Sequence, residues 1–83
     1  MKHKCPCCGH YTLPEKAGGT DEICKVCFWE DDIVQLNDAD YAGGANKVSL
    51  NQARKNYLEF GACEIEMKKY VRLPKDDEKT GID

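Results

Sequence analysis

Four cysteines constrain this chain more than anything else in it. Cys5 and Cys8, with Cys24 and Cys27, form a C-x2-C-x15-C-x2-C pattern, the spacing of a single tetrahedral zinc site. Two residues between paired thiolates let the backbone turn back, so that both sulfurs reach one ion at about 2.3 Å. Pro6 fixes φ at the start of the first turn, and Gly9 permits a positive φ where the chain leaves it. Cys7 adjoins Cys8, and either could supply the second ligand; the C-x-x-C geometry is the reason to choose Cys8. Cys7 is then expected to be a small, partly buried thiol. The sharper alternative is a reactive thiol beside the metal.

A chain of 83 residues has room for one domain, and its core is too small for comfortable stability without a staple. The choice lies between disulfides and a metal. The opening Met1-Lys2-His3-Lys4-Cys5 lacks the apolar segment of a secretory signal, and no run approaches the length of a membrane span. The expectation is therefore a cytoplasmic protein, whose thiols stay reduced and bind metal. The formal net charge of −3 becomes about −5 once four thiolates and one Zn²⁺ are added. Lys and Arg are scattered rather than clustered, so nucleic acid is not the favoured partner.

Around the knuckles the local signals are short. Tyr11-Thr12-Leu13 is β-prone, Pro14 stops it, and Ala17-Gly18-Gly19-Thr20 is a flexible turn before a second segment, Glu22-Ile23-Cys24. These two segments read as a β-hairpin joining the knuckles. His3 and His10 read as solvated histidines, with a hydrogen bond from His10 to a ligand sulfur as the alternative. Phe28-Trp29 follows Cys27 directly, and Trp29 is expected to pack over the metal site rather than stand exposed as a partner anchor.

From Phe28 to Asn46 there is no Lys or Arg, while Glu30, Asp31, Asp32, Asp38 and Asp40 fall inside. Asp38 to Gly43 invites comparison with a calcium loop but fails it, since the fifth position is Ala42 and the twelfth is Ser49. The stretch reads as a solvated acidic loop, or as a surface for a basic partner. Ile33 to Leu36 is a short strand or helical turn beneath the aromatics.

The clearest helix lies near residues 49–61. Ser49 is a good N-cap with Gln52 three positions on, Leu50, Ala53, Tyr57 and Phe60 share a face, and Gly61 supplies the C-terminal cap. A second short helix is expected over Ala62 to Lys69, with Glu64 and Lys68 paired at i,i+4 and Cys63 a buried structural thiol. Residues 1–74 form the domain. Residues 75–83, charged and nearly without apolar side chains, are expected to be a disordered tail.

These residues resemble the small bacterial cysteine-rich CPCC family. The resemblance rests on Cys5-Pro6-Cys7-Cys8-Gly9, Tyr11-Thr12-Leu13, Ile23-Cys24, Val26 to Asp32, Val48-Ser49-Leu50, Ala53-Arg54, Asn56-Tyr57 and Phe60 to Cys63, about residues 4–73. One departure is Lys25, where the counterpart of Pro6 would be a proline. The resemblance names no biological role. The fold expected is a small α+β domain, a zinc-ribbon-like β-hairpin with two knuckles plus a C-terminal helix, stapled by one Zn²⁺ on Cys5, Cys8, Cys24 and Cys27.

The function expected is a protein-interaction module, binding a basic partner through the 30–40 loop. A closed four-thiolate site leaves no position for substrate, and Glu30, Asp31, Asp32, His3 and His10 suggest no defined catalytic pairing. The alternative is a redox protein, acting through Cys7 or through iron held as in rubredoxin-like sites.

Overall fold

In the computed structural model, which describes residues 2–82, each C-x-x-C turn closes a hairpin of its own. Strand β1 (His3–Lys4) runs antiparallel to β2 (Tyr11–Leu13), with His3 opposite Leu13 and Lys4 opposite Tyr11. Across the second turn Ile23 bridges Glu30, flanked by bonds from Asp21 N–H to Asp31 O and from Asp31 N–H to Glu22 O. This corrects the expected hairpin, in which Tyr11–Leu13 would have paired with Glu22–Cys24. The reason is local: each knuckle already reverses the chain and brings its own flanks together, while the linker gives the N–H groups of Gly18, Gly19 and Thr20 to Asp31 instead of turning a hairpin.

Asp31 shapes that linker. Its buried carboxylate accepts the backbone N–H groups of Gly18, Gly19 and Thr20 at 2.9 to 3.1 Å, and the Thr20 hydroxyl at 2.8 Å. Burial pushes its carboxyl up, but these donors outweigh burial and hold it below the ordinary range. Asp32 then caps helix α1 (Ile33–Asn37), accepting from Val34 and Gln35 on one oxygen and from Ala45 on the other. Of the alternatives for Ile33 to Leu36, the helical turn forms.

The acidic loop beyond α1 is organised by a polar core. Gln35, fully buried, donates to the carbonyls of Tyr41, Asn46 and Val48, and accepts from both the backbone and the side chain of Asn46. Asn46 in turn exchanges two bonds with the backbone of Glu30. All of these buried polar atoms are paired, which is the condition for tolerating them in a core.

Helix α2 (Leu50–Phe60) starts at Ser49, whose hydroxyl accepts the Gln52 N–H, and ends at Gly61 in the left-handed region with φ 84°. Gln52 does not complete the capping box; its amide donates to Asn56. Leu50 and Ala53 are buried, and Tyr57 packs partly against the core. The segment after it winds as a 3-10 helix (Ile65–Tyr70) with Glu64 outside at its N-cap. With three residues per turn, the i,i+4 pair of Glu64 and Lys68 has no geometry to form, and Glu66 pairs with Lys47 instead.

The charged C-terminal segment is docked. A 3-10 turn at Asp76–Glu78 buries Glu78, which takes a two-pronged bond from Arg72 (2.7 and 2.8 Å) and the Lys75 N–H. Arg72 holds the Glu78 carboxyl down at about 2, aided by that N–H. Ile82 N–H then bonds Lys2 O, and Gly81 lies so close to the Tyr11 ring that a Cβ there would clash with it. One paired carboxylate supplies the docking energy that a composition count overlooks; of the expected tail, Asp83, like Met1 at the other end, lies outside the described residues.

The largest fully buried side chains mix apolar and polar: Trp29, Leu13, Leu50 and Val26 stand beside Gln35, Glu78 and Asp31. The aliphatic and aromatic members contribute roughly 1.5 to 3 kcal/mol each. That is little for a chain of this length, and the cysteines sit in the same cluster.

Candidate metal centre

The two knuckles share one hydrogen-bond scheme. Gly9 N–H bonds Cys5 O and Cys5 N–H bonds His10 O; in the second, Phe28 N–H bonds Cys24 O and Cys24 N–H bonds Trp29 O. Gly9 and Phe28 both have positive φ, 80° and 71°. The absence of Pro and Gly from the second knuckle therefore leaves its backbone geometry intact.

Facing each other, the knuckles bring Cys5, Cys8, Cys24 and Cys27 together with all four sulfurs within 4.8 Å of one another. Cys5 Sγ stands 3.7 Å from Cys27 Sγ, and Cys8 Sγ 3.7 Å from Cys24 Sγ. Sulfurs at about 2.3 Å from a central ion lie about 3.8 Å apart at tetrahedral angles, so both measured edges fit. This set could hold a metal ion. Without a cation the crowded thiols share their protons unequally: Cys24 is lowered, chiefly by Cys27 and then by Cys5 and Cys8, while Cys24 raises Cys5, Cys8 and Cys27. Four thiolates in so small a space need a cation to ionise together.

Thr12 and Arg54, neither of them expected at the metal centre, join the halves. From β2, Thr12 donates its hydroxyl to Cys24 Sγ at 2.9 Å, so the first hairpin supports a ligand of the second; Val26 N–H adds a longer contact at 3.4 Å. Arg54 Nε donates to Pro6 O at 2.9 Å, tying α2 to the first knuckle. Cys63 N–H donates to Cys27 O, tying the end of α2 to the second. Thr12 had a legible trace, a polar residue at a buried strand position, whereas nothing local marks Arg54.

Cys7 and Cys63 lie in the core beside the ligand set. Burial pushes the Cys63 thiol up to about 12, so it stays protonated at neutral pH, as expected of a structural thiol. Cys7 is 7 % exposed, which argues against the reactive reading. His10 is not simply solvated: its Nδ1 is buried with no hydrogen-bond partner among the described residues, and its ring meets Tyr57 edge-on at 6.0 Å. The half-exposed thiol is Cys8, bordering a groove of about 440 Å³ lined also by Lys4, Lys16 and Arg54.

Over residues 3–78 the chain matches the family described as Cysteine-rich CPCC. It belongs to that family. No curated protein matches the chain. No helix of the described residues is long and apolar enough to cross a membrane.

Proposed function

We propose that Cys5, Cys8, Cys24 and Cys27 hold one Zn²⁺ as a structural staple in a zinc-ribbon-like fold, and that this CPCC protein works in the cytoplasm as a small protein-interaction module. The observation that carries the reading is the closure of the site: Cys5, Cys24 and Cys27 are at most 1 % exposed, and four sulfurs fill a tetrahedral shell, the arrangement of structural rather than catalytic zinc. Asp31 and Asp32 hold turns and caps, which removes two of the carboxylates considered for acid-base work. The acidic surface offered to a basic partner is accordingly narrower than the composition suggests. Exposed Asp38 and Asp40, with half-buried Glu30, remain.

An oligolysine peptide is the probe for this surface. Wild type should bind it with an affinity that falls as salt rises, and an Asp38→Lys, Asp40→Lys double variant should keep its metal and lose the peptide; binding unchanged in that variant contradicts the surface assignment. One observation favours a thiol-redox reading as the second choice, with Cys8 in place of Cys7: its partial exposure beside Lys4, Lys16 and Arg54. Metal release by peroxide faster than unfolding would support it. A red protein would place iron in the same four thiolates.

A further inference from the structure

Phe28 pays a conformational cost that Gly9 avoids. Side-chain-bearing residues disfavour the left-handed region, yet Phe28 sits there at φ 71°. The conformation serves the knuckle, as it does at Gly9, but glycine would serve it without strain, so it is the ring that calls for a role. The Phe28 ring is only half-buried, and it stacks on Tyr70 at 5.1 Å between centroids with 24° between planes. Tyr70 is itself 56 % exposed and Ile23 40 %, so the three make an apolar cup open to solvent, with Phe28 resting on the edge of the core.

The cup is the floor of a cavity of about 260 Å³ that Lys25 and Arg72 complete. Lys25, exposed at the place where the first knuckle has Pro6, has no hydrogen-bond or ion-pair partner among the described residues. Arg72 is fixed by Glu78, and Lys69 Nζ stands 5.2 Å from the Tyr70 centroid. In a chain of net charge −3, cations gathered around one apolar cavity run against the overall sign. The cavity is smaller than the roughly 300 to 1,000 Å³ usual for drug-sized ligands, which suits one ring with one acidic group.

We propose that this cavity binds a small aromatic carboxylate, its ring in the cup of Ile23, Phe28 and Tyr70 and its carboxylate on Lys25 Nζ. The cavity shares no lining residue with the acidic loop, and the proposal does not depend on that surface. The same chemistry is offered by a free arylacetic acid and by the C-terminal aromatic residue of a peptide.

The test is an NMR titration of the metal-loaded, ¹⁵N-labelled full chain with phenylacetate, with phenylacetamide, and with Gly-Gly-Phe bearing a free or an amidated C-terminus. Phenylacetate should shift the amides of Lys25, Phe28, Tyr70 and Arg72 and bind about tenfold or more tightly than the amide, since hydrogen bonds to charged groups carry about that much. Lys25→Glu should weaken it by a similar factor, and Phe28→Gly, which removes the ring and relieves the backbone, should abolish binding while the metal is retained. Tighter binding of phenylacetate than of Gly-Gly-Phe assigns the site to free acids; the reverse order assigns it to chain ends. Equal affinity for phenylacetate and phenylacetamide, binding that survives Lys25→Glu, or no shift with any probe overturns the proposal.

Discussion

The two knuckles reach one backbone geometry from different sequences. The first uses Pro6 and Gly9, residues whose own preferences favour the turn. The second uses Lys25 and Phe28, which do not, and holds its shape through its surroundings: Trp29 packs in the core, Asp31 gathers the linker, Thr12 reaches Cys24, and Cys63 bonds Cys27 O. The first knuckle is preorganised locally and partly open at Cys8; the second is fixed by tertiary contacts and fully buried at Cys24 and Cys27. Local sequence preference and tertiary packing are thus interchangeable means to the same ligand geometry.

The largest test of this contrast removes a buried ligand. Metal binding to four thiolates is worth on the order of 10 to 16 kcal/mol in zinc peptides, comparable to the whole stability of a domain. Cys24→Ser should therefore unfold the chain by circular dichroism, and retention of the native spectrum would show that packing alone holds the second knuckle. Next comes the link between the halves. Thr12→Val keeps the shape and removes the hydroxyl, and competition with a chelator should show metal affinity lowered about 10- to 100-fold, the usual cost of losing an outer partner of a ligand; unchanged affinity would mean that Cys24 needs no help from β2.

Acid should act on the docked C-terminal segment in a defined window. Glu78 has its carboxyl lowered from 4.5 to about 2 by Arg72, so its contribution is complete above about 4.5 and is lost as pH falls toward 2. Metal loss also destabilises the chain in acid, because the ligands must be thiolates, so the comparison is between wild type and Glu78→Gln at neutral pH. The variant should free the segment already there, seen as faster hydrogen exchange at Ile82. Exchange equal to wild type would mean that Gly81 and Tyr11 hold the segment without the ion pair.

The smaller effects concern turn chemistry. Gly9→Ala forces a side chain into φ 80° although space is available, with Lys4 Cε 3.8 Å away; it should cost about 1 to 2 kcal/mol of stability in denaturant unfolding. Lys25→Pro gives the second knuckle the preorganisation of the first, and should gain about 0.4 to 1 kcal/mol through the unfolded state. If Gly9→Ala were neutral and Lys25→Pro destabilising, the equivalence of the knuckles would fail.

Spacing made the four cysteines, the Ser49 cap, the Leu50-Ala53 face and the Gly61 terminus legible, because each depends on residues within one or two turns of one another. Trp29 was readable from its place beside Cys27. The strand partners were not, since Tyr11–Leu13 is as suited to Glu22–Cys24 as to His3–Lys4, and the knuckle turns and the hold of Asp31 on the linker decide. The roles of Asp31, Gln35 and Glu78 were hidden for a related reason. A carboxylate or amide becomes a structural core residue only through donors brought from elsewhere, and charge counting assigns such residues to solvent. Phe28 concealed the repeat for the opposite reason, standing where local preference asks for glycine.

The central claim is that Cys5, Cys8, Cys24 and Cys27, and not Cys7 or Cys63, form one metal site. Elemental mass spectrometry on untagged protein purified without added metal tests it most directly, across wild type, Cys7→Ser, Cys63→Ser and Cys8→Ser. The prediction is one zinc per chain in wild type, retained in Cys7→Ser and Cys63→Ser and lost or greatly weakened in Cys8→Ser. Metal-free wild type, or zinc kept by Cys8→Ser and lost by Cys7→Ser, would contradict it.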